Sequence, residues 1–510
     1  METQSKTKKG IKLLIDIFQR FKNLINSINQ RMEGKYTPSL IALVVTGFVT
    51  IISVIILFIP NYLGVADDGS VTKIINAAGI YYLQEEPEQI YNNYFIRTYS
   101  NVPSTTNQIN DDSSSHILVV KAAVFLDNIV TRDKSFDSRF LALIYLIFYI
   151  PAIYLLIKQA CRRAKNFSEG IVIGVVGGLI FSDVAYITYF NSFYPEAIWL
   201  ICLVYCVGFG LSFQEKRDIY NDIGHLFCFL IASTVLITSK NQCAIIGIIF
   251  GVYCIKLMFL RERWLWKSIC VTAAIFLCLM TLVSMLSLKN DFDETSKLHA
   301  MTRGVLFTSD NPAETLAEFD IASSYEMLTD ASTYDFLPFV RASEPSLKTG
   351  FLDQYTISDI TAYYVRHPGQ LIRMTDISIK SCFELRRSYC GNYEMSVGMP
   401  EKAKSIFWST WSTLKSTSMP KTIGFLIVLI VGLLMLFGKN YSLRPVEDNR
   451  DTVFLDTLLV VVLLLLSQSF ITIVNSGDAE MIQHCFLVSL GMDIITYFVF
   501  AEIVNKLNIL

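Results

Sequence analysis

The sequence predicts an all-α polytopic membrane protein with about ten transmembrane helices, and three observations carry that prediction. Of 510 residues, 52% are hydrophobic and only 17% are charged, with a mean hydropathy of +0.44. A soluble domain has about 25% charged residues, so too few charges remain to clothe the several globular domains this length would make. The apolar residues gather in runs close to the length that crosses roughly 30 Å of hydrocarbon. Lys and Arg concentrate at alternate junctions between those runs. The same composition excludes disordered, collagenous and disulfide-stapled secreted chains, and a formal charge of −2 offers nothing to nucleic acid.

Residues 1–38 form a basic N-terminal segment. Lys6, Lys8, Lys9, Lys12, Arg20, Lys22, Arg31 and Lys35 are too many for a cleavable signal. Ile11, Leu14, Ile15, Phe18, Phe21, Ile25 and Ile28 recur at helical spacing, which predicts an amphipathic helix lying on the lipids of the cytoplasmic leaflet. A solvated tail is the simpler alternative.

The predicted spans lie near 39–62, 139–158, 170–189, 197–214, 222–239, 243–260, 266–287, 421–438, 452–474 and 483–504. One set of junctions carries Lys158, Arg162, Arg163 and Lys165, then Lys216 and Arg217, then Arg261, Arg263 and Lys267, then Lys439, Arg444 and Arg450. The alternate short junctions hold almost nothing basic except Lys240. Cationic loops stay in the cytoplasm, so both termini are expected inside. Few ionisable residues fall in the middle of the spans, Asp183 and Asp493 being the candidate exceptions.

This divides the chain into a membrane module at 39–287, which includes a first outer loop at 64–138, an extracytoplasmic loop domain at 288–420, and a second membrane module at 421–510. Within the first loop, His116 to Val130 is apolar but short for a span and is expected as an interfacial helix. The second loop is polar with helical patterns such as Ile357 to Met374. Of eleven cysteines, Cys202, Cys206, Cys228, Cys254, Cys270 and Cys278 fall in predicted helices as small apolar fillers. Cys382 and Cys390 share the outer loop, where a disulfide and two free thiols both stay open. No zinc spacing, phosphate-binding loop, dinucleotide fingerprint or nucleophile elbow is present.

Chemistry-bearing residues cluster at the outer ends of the helices. Asp67 and Asp68 follow the first span directly, where a carboxylate at the depth of a lipid phosphate suits general-base work; an acidic turn before Gly69 is the plainer alternative. Asn191, Tyr194 and Glu196 rim the third span's outer end. Lys240 and Gln242 follow the fifth, and a cation there suits an anionic phosphate, against the alternative of a snorkelling lysine. Asp478, Glu480 and His484 lie between the last two spans. In the large loop, Arg303, His367, Arg386 and Asn392 belong to stretches that mix cations with aromatics or hydroxyls; each taken singly reads equally well as folded surface.

Taken together, these motifs resemble those of the bacterial S-layer and cell-surface glycan hexose transferases, the WsfD-like family. Asp67-Asp68-Gly69-Ser70 is similar to the family's Asn-Asp-Gly-Asp, and Asn191-Ser192-Phe193-Tyr194-Pro195-Glu196 to its Asn-Ser-Phe-Tyr-x-Glu. Ser239-Lys240-Asn241-Gln242, Tyr363 to Pro368, Tyr389 to Tyr393 and Gly477 to His484 follow in order, so the resemblance spans nearly the whole chain. It implies a GT-C-type membrane glycosyltransferase of the bacterial cell membrane, with its active site outside. Such an enzyme takes a hexose from a polyprenyl-phosphate carrier to a glycan or lipid-linked glycan acceptor.

The resemblance further implies Asp68 as general base with Asp67 beside it, and Lys240, with Arg303 and Arg386, as holders of the donor phosphate. Asn191, Tyr194, Glu196, Gln242, His367, Asn392, Asp478, Glu480 and His484 would line the sugar or acceptor pocket. Ser70 stands where the family has its second aspartate, which weakens any metal bridged by two carboxylates. A donor with one phosphate requires no cofactor, and divalent metal dependence stays open. Two other classes fit the hydropathy, a lipid-linked glycan flippase and a non-catalytic membrane subunit. The first should carry mid-membrane charges and internal repeats, and the second needs no rim of acids and cations.

Overall fold

The computed structural model describes residues 19, 20, 23, 25–83, 91–101, 114–214, 218–287, 294–332, 345–441 and 450–507. Most of the predicted amphipathic face of the N-terminal segment (Ile11, Leu14, Ile15, Phe18 and Phe21) and the basic positions Lys216, Arg217 and Arg444 lie outside the described residues. The described part of that segment is helical at 25–32, and it is tied to the bundle where Asn29 accepts from the amide and hydroxyl of Ser168.

The chain is an all-α polytopic membrane protein. Seven described helices are long and apolar enough to cross a membrane, and up to nine if two bent pairs each count as one span. The first, α1 (Pro38–Phe58), has Pro38 at its start, where a missing N–H costs nothing, and Thr37 caps it by accepting from Leu40 N. The segment expected as an interfacial helix is helical, α2 (Ser115–Val130), and is capped by Ser114. Next come α3 (Arg139–Cys161), α4 (Phe167–Phe181) with its continuation Val184–Asn191, and α5 (Glu196–Gly210). After these run α6 (Ile219–Ile237), α7 (Ile246–Leu257) and α8 (Trp264–Ser287). The large loop contributes α9 (Ile357–Arg366), α10 (Pro368–Ser381) and α11 (Thr410–Ser418), and the chain closes with α12 (Ile423–Phe437), α13 (Arg450–Ser476) and α14 (Phe486–Leu507). Two three-residue strands, β1 (Thr98–Ser100) and β2 (Ser135–Asp137), pair antiparallel and bracket the first outer loop.

Each of the ten expected spans falls on one of these helices, with three departures, one of them at 421–438, where α12 is only 15 residues long and is bent by 114° from α11. The expected span 197–214 ends at Gly210, which leaves α5 only 15 residues long. The expected span 170–189 bends by 45° between Phe181 and Val184. Polar side chains at the break replace the lost helical hydrogen bonds: Asp183 accepts from Ala185 N at 2.9 Å and from Ser412 N at 2.9 Å, and Trp408 donates to the Ser182 hydroxyl at 2.6 Å. Asp183 is therefore a cap at a broken helix. Asp493, the other ionisable residue expected in the middle of a span, is neutralised by Lys415 of α11 at 2.5 Å and also accepts from Trp411 and Tyr186. A buried, paired and fully hydrogen-bonded carboxylate is the form in which a charge persists away from water. Cys382 and Cys390 are free thiols with different neighbours, Cys382 donating to Ser378 O and Cys390 lying beside Asn92.

Ion pairs gather at both ends of the bundle. At one end Arg163 pairs with Asp451 and Glu502, and Arg261 with Asp222. At the other end the first outer loop, the short junctions after α4 and α6, the large loop and the turn before α14 converge.

Candidate functional site

Past α1 the chain runs extended from Leu63 to Ala66 and pairs with the large loop. Gly64 N donates to Asn392 O at 3.1 Å, Ala66 N to Gly391 O at 2.9 Å, and the Asn392 side chain donates to Gly64 O at 2.8 Å. Gly391 permits this approach, because a Cβ there would sit 2.2 Å from the carbonyl oxygen of Asn93. Asn191 donates to Leu57 O and Leu63 O at 3.2 and 2.9 Å, fixing the exit of α1. Asn191 and Asn392 are thus brought to the site as braces of the backbone.

The strand of chain ends in two overlapping turns. Asp67 accepts from Gly69 N at 2.7 Å, and Asp68 accepts from Ser70 N at 3.0 Å and from the Ser70 hydroxyl at 2.6 Å. Gly69 has φ +91°, a conformation that favours glycine. The plain turn chemistry of Asp-Gly is therefore present, but the carboxylates face different surroundings. Asp67 is 4% exposed and accepts a hydrogen bond from the Tyr82 hydroxyl. Burial, with the neighbouring Asp68 charge, pushes its carboxyl up to about 7, against the opposing pull of the Gly69 amide and Arg387. For Asp68, burial acts in the same direction, but the Arg387 guanidinium, Ser70 and Tyr194 outweigh it and hold the carboxyl below its ordinary value.

Arg387 is the hub of the site. Its side chain is fully buried, with one terminal nitrogen 2.6 Å from Asp68 Oδ2 and the other 2.6 Å from Glu196 Oε1. It lies over the Tyr194 ring at 3.9 Å from the centroid. The Tyr194 hydroxyl donates to Ala66 O and accepts from Asp68 N, both at 2.9 Å. Burial opposes the guanidinium charge, yet Tyr194, Glu196 and Asp68 push the group further up, so it stays cationic. One arginine thereby joins the first outer loop, the start of α5 and the large loop.

Beside this hub, Lys240 begins the short turn Asn241–Cys243. It is half-buried, and its ammonium has no hydrogen bond or ion pair among the described residues. Its charge acts on Glu196 and, with burial and with Arg387 and His299, pulls His484 well below the ordinary imidazole value, so that His484 is neutral. His484 Nδ1 is 3.2 Å from Gln242 Oε1, and Gln468 of α13 donates to Gln242 O at 3.1 Å. Glu480 takes the left-handed conformation (φ 49°) in the turn before α14 and acts on Tyr389 of the large loop.

Other expected members lie apart. Arg303 holds Asp478 through two bonds of 2.7 and 3.0 Å and also pairs with Asp330 at 2.8 Å. Two carboxylates already neutralise it, so it differs from Lys240 in having no vacancy for a phosphate. Arg386 donates to Ser405 O and faces Asp183 at the broken helix, away from the acidic pair; the adjacent Arg387 occupies the place expected for it. His367 stacks on Tyr363 and pairs with Glu318 at 3.1 Å on the loop surface. Neither Tyr82 nor Arg387 was among the expected site residues. The Arg386-Arg387 pair was a signal for the latter, but adjacency alone does not say which guanidinium turns inward.

The family model of the YfdI N-terminal transmembrane domain matches residues 21–510. No curated protein matches the chain. Among solved structures the chain is similar to the archaeal oligosaccharyltransferase AglB from Archaeoglobus fulgidus, determined in complex with an inhibitory peptide and a dolichol-phosphate. The identity is 12% and the TM-score 0.39, over 92% of this chain and 51% of that one. The chain spans about half the length of the archaeal structure it matches.

Proposed function

The chain belongs to the YfdI N-terminal transmembrane domain family, and on that premise we propose that it is a membrane glycosyltransferase using a lipid-linked donor. In this reading it moves a hexose from a polyprenyl-phosphate carrier to a glycan or lipid-linked glycan acceptor, on the outer face of a bacterial cell membrane. The observation that carries the reading is the buried constellation at one end of the bundle: an acidic pair of divergent electrostatics, a bridging arginine, and an unpaired lysine beside it.

The acceptor hydroxyl oxygen attacks the anomeric carbon, forming the new glycosidic bond as the bond from that carbon to the phosphate oxygen breaks. The proton goes to a carboxylate, and the carrier leaves as polyprenyl phosphate. In-line attack would invert the anomeric configuration. Phosphate is already a good leaving group, so the protein's work is positioning and charge stabilisation. Lys240 would hold the phosphate, with Glu196 and His484 along the sugar or acceptor side.

Electrostatics revises the choice of base. Asp68, the position marked by resemblance, is engaged by Arg387 and held low, which makes it a poor proton acceptor. Asp67, near 7, has the proton affinity suited to a base working at neutral pH. We therefore assign Asp67 as the base and Asp68 as the anion that positions Arg387.

The test is transfer of radiolabelled hexose from a defined polyprenyl-phosphate donor by the purified chain in detergent or vesicles. Hydrolysis or transfer dependent on the chain supports the reading. Movement of intact donor across vesicles without turnover would identify a flippase, and neither activity would leave a structural subunit.

A further inference from the structure

Four buried side-chain atoms around Lys240 have no hydrogen-bond partner among the described residues: His116 Nε2, Gln242 Nε2, Glu196 Oε2 and Gln468 Oε1. Buried polar groups are nearly always satisfied, so four orphans in one place need an explanation. Their convergence follows from the fold. Ser115 at the start of α2 is locked onto the end of α6, its amide donating to Thr238 O at 3.2 Å and its hydroxyl to Val235 O at 2.7 Å. That anchors the next residue, His116, 1% exposed, within the field of Lys240 two positions past Thr238. Gln468 reaches the Gln242 carbonyl with its nitrogen, which leaves its oxygen in the same place. Glu196 spends one oxygen on Arg387 and keeps the other.

Resting on the glycosyltransferase reading, we infer that His116, through Nε2–H, and Gln242, through its side-chain amide, are phosphate ligands that complete with Lys240 a pocket for the carrier's phosphate. The donors of the set favour a phosphate over water alone. One ammonium and two neutral donors match an anion with several acceptor oxygens, and an uncharged imidazole donates without adding repulsion to Lys240; the two acceptors, Glu196 Oε2 and Gln468 Oε1, are left for hydroxyl donors beside the phosphate. Burial and Lys240 push His116 down to about 3, so the ring is neutral at working pH. When the glycosidic oxygen leaves, the phosphate gains a negative charge, and preorganised donors aimed at it would lower the barrier. Neither the pattern of spans nor any sequence motif marks His116.

The probe is farnesyl phosphate, a short soluble analogue of the leaving carrier, titrated into the full-length protein in detergent, with farnesol and inorganic phosphate as parallel arms. Wild type should bind farnesyl phosphate, and farnesol should not compete. His116→Ala and Gln242→Ala should each weaken binding about tenfold, as expected for a lost hydrogen bond to a charged group. His116→Gln, which keeps a donor near the Nε2 position, should recover part of the loss. The thermal midpoint of each ligand-free variant reports folding, so weakening in a variant with a wild-type midpoint is assignable to the ligand. Binding of inorganic phosphate with the same His116 dependence would support the headgroup as the recognised element. Undiminished affinity in both alanine variants, or competition by farnesol as strong as by farnesyl phosphate, would overturn the pocket. His116-dependent binding without any sugar transfer would sink the transferase reading while leaving the pocket standing. Transfer whose donor kcat/KM is unchanged in His116→Ala would do the reverse.

Discussion

Arg387 reaches across 319 positions of sequence to put a guanidinium nitrogen 2.6 Å from Asp68, and its second terminal nitrogen lies at the same distance from Glu196. One buried cation shared between two carboxylates leaves the trio with one net negative charge in a largely buried cluster. Lys240, nearby and unpaired, supplies the compensating charge. In the proposed reading, an anionic phosphate held at Lys240 would change the electrostatics of the whole group and so couple donor occupancy to the proton affinity of the acidic pair.

Asp67→Asn should lower transfer by about 10²–10⁴, the usual contribution of a general base, while donor binding is largely retained. Asp68→Asn should retain more activity, with its loss expressed in donor kinetics because Arg387 is left without one partner. Steady-state rates with a defined polyprenyl-phosphate donor check both. Loss in Asp68→Asn with full activity in Asp67→Asn would return the base to Asp68.

The pH dependence follows with a definite sign. A base near 7 must be deprotonated to work, so kcat/KM should rise with pH and level off above about 7. Stability should run the other way. A carboxyl raised in the folded state binds its proton more tightly there than when unfolded, so its contribution is full below about 4 and is lost as pH rises through about 7. Thermal midpoints measured from pH 5 to 8 should fall in wild type and fall less in Asp67→Asn.

Removing Arg387 should damage the fold itself. Arg387→Ala leaves Asp68 and Glu196 buried without their cation, a loss on the order of 3–5 kcal/mol for a broken buried pair. Adding Asp68→Asn and Glu196→Gln to Arg387→Met should recover much of that stability without activity. Denaturation in detergent reads the difference, and an unperturbed Arg387→Ala would show the cluster to be solvated.

Lys240→Ala should leave the thermal midpoint near wild type, because Lys240 has no partner to strand among the described residues. Donor kcat/KM should drop by roughly ten- to a hundredfold, matching about 1.5–3 kcal/mol for a charged hydrogen bond. A normal donor response would make Lys240 an interfacial cation only.

Orientation is tested by labelling. Met327 is 71% exposed in the large loop and Tyr220 is 73% exposed at the opposite end of the bundle. Against the background of the unmodified chain, Met327→Cys should react with a membrane-impermeant maleimide in intact cells, and Tyr220→Cys only after lysis. The reverse pattern would put the acidic pair in the cytoplasm.

What this sequence determined by itself is the part of the molecule that depends on local chemistry. Span positions follow from runs of apolar residues, because a helix in hydrocarbon satisfies its own backbone and only its length and polarity matter. The alternating basic junctions and the acidic pair just past α1 are equally local, and so the end of the bundle at which the candidate site residues gather was legible. The tertiary structure alone decided what pairs with what. Arg386 and Arg387 are indistinguishable neighbours in sequence, and only the docking of the large loop against Gly64 and Ala66 turns Arg387 inward. Arg303 looked like a phosphate ligand until Asp478 and Asp330 took its charge. Asp67 and Asp68 are identical residues side by side, yet one is raised by burial and the other is held down by an arginine 319 positions away. Proton affinity and vacancy are set by which groups are brought within a few ångströms and how much water remains between them, and those distances exist only once the chain has folded.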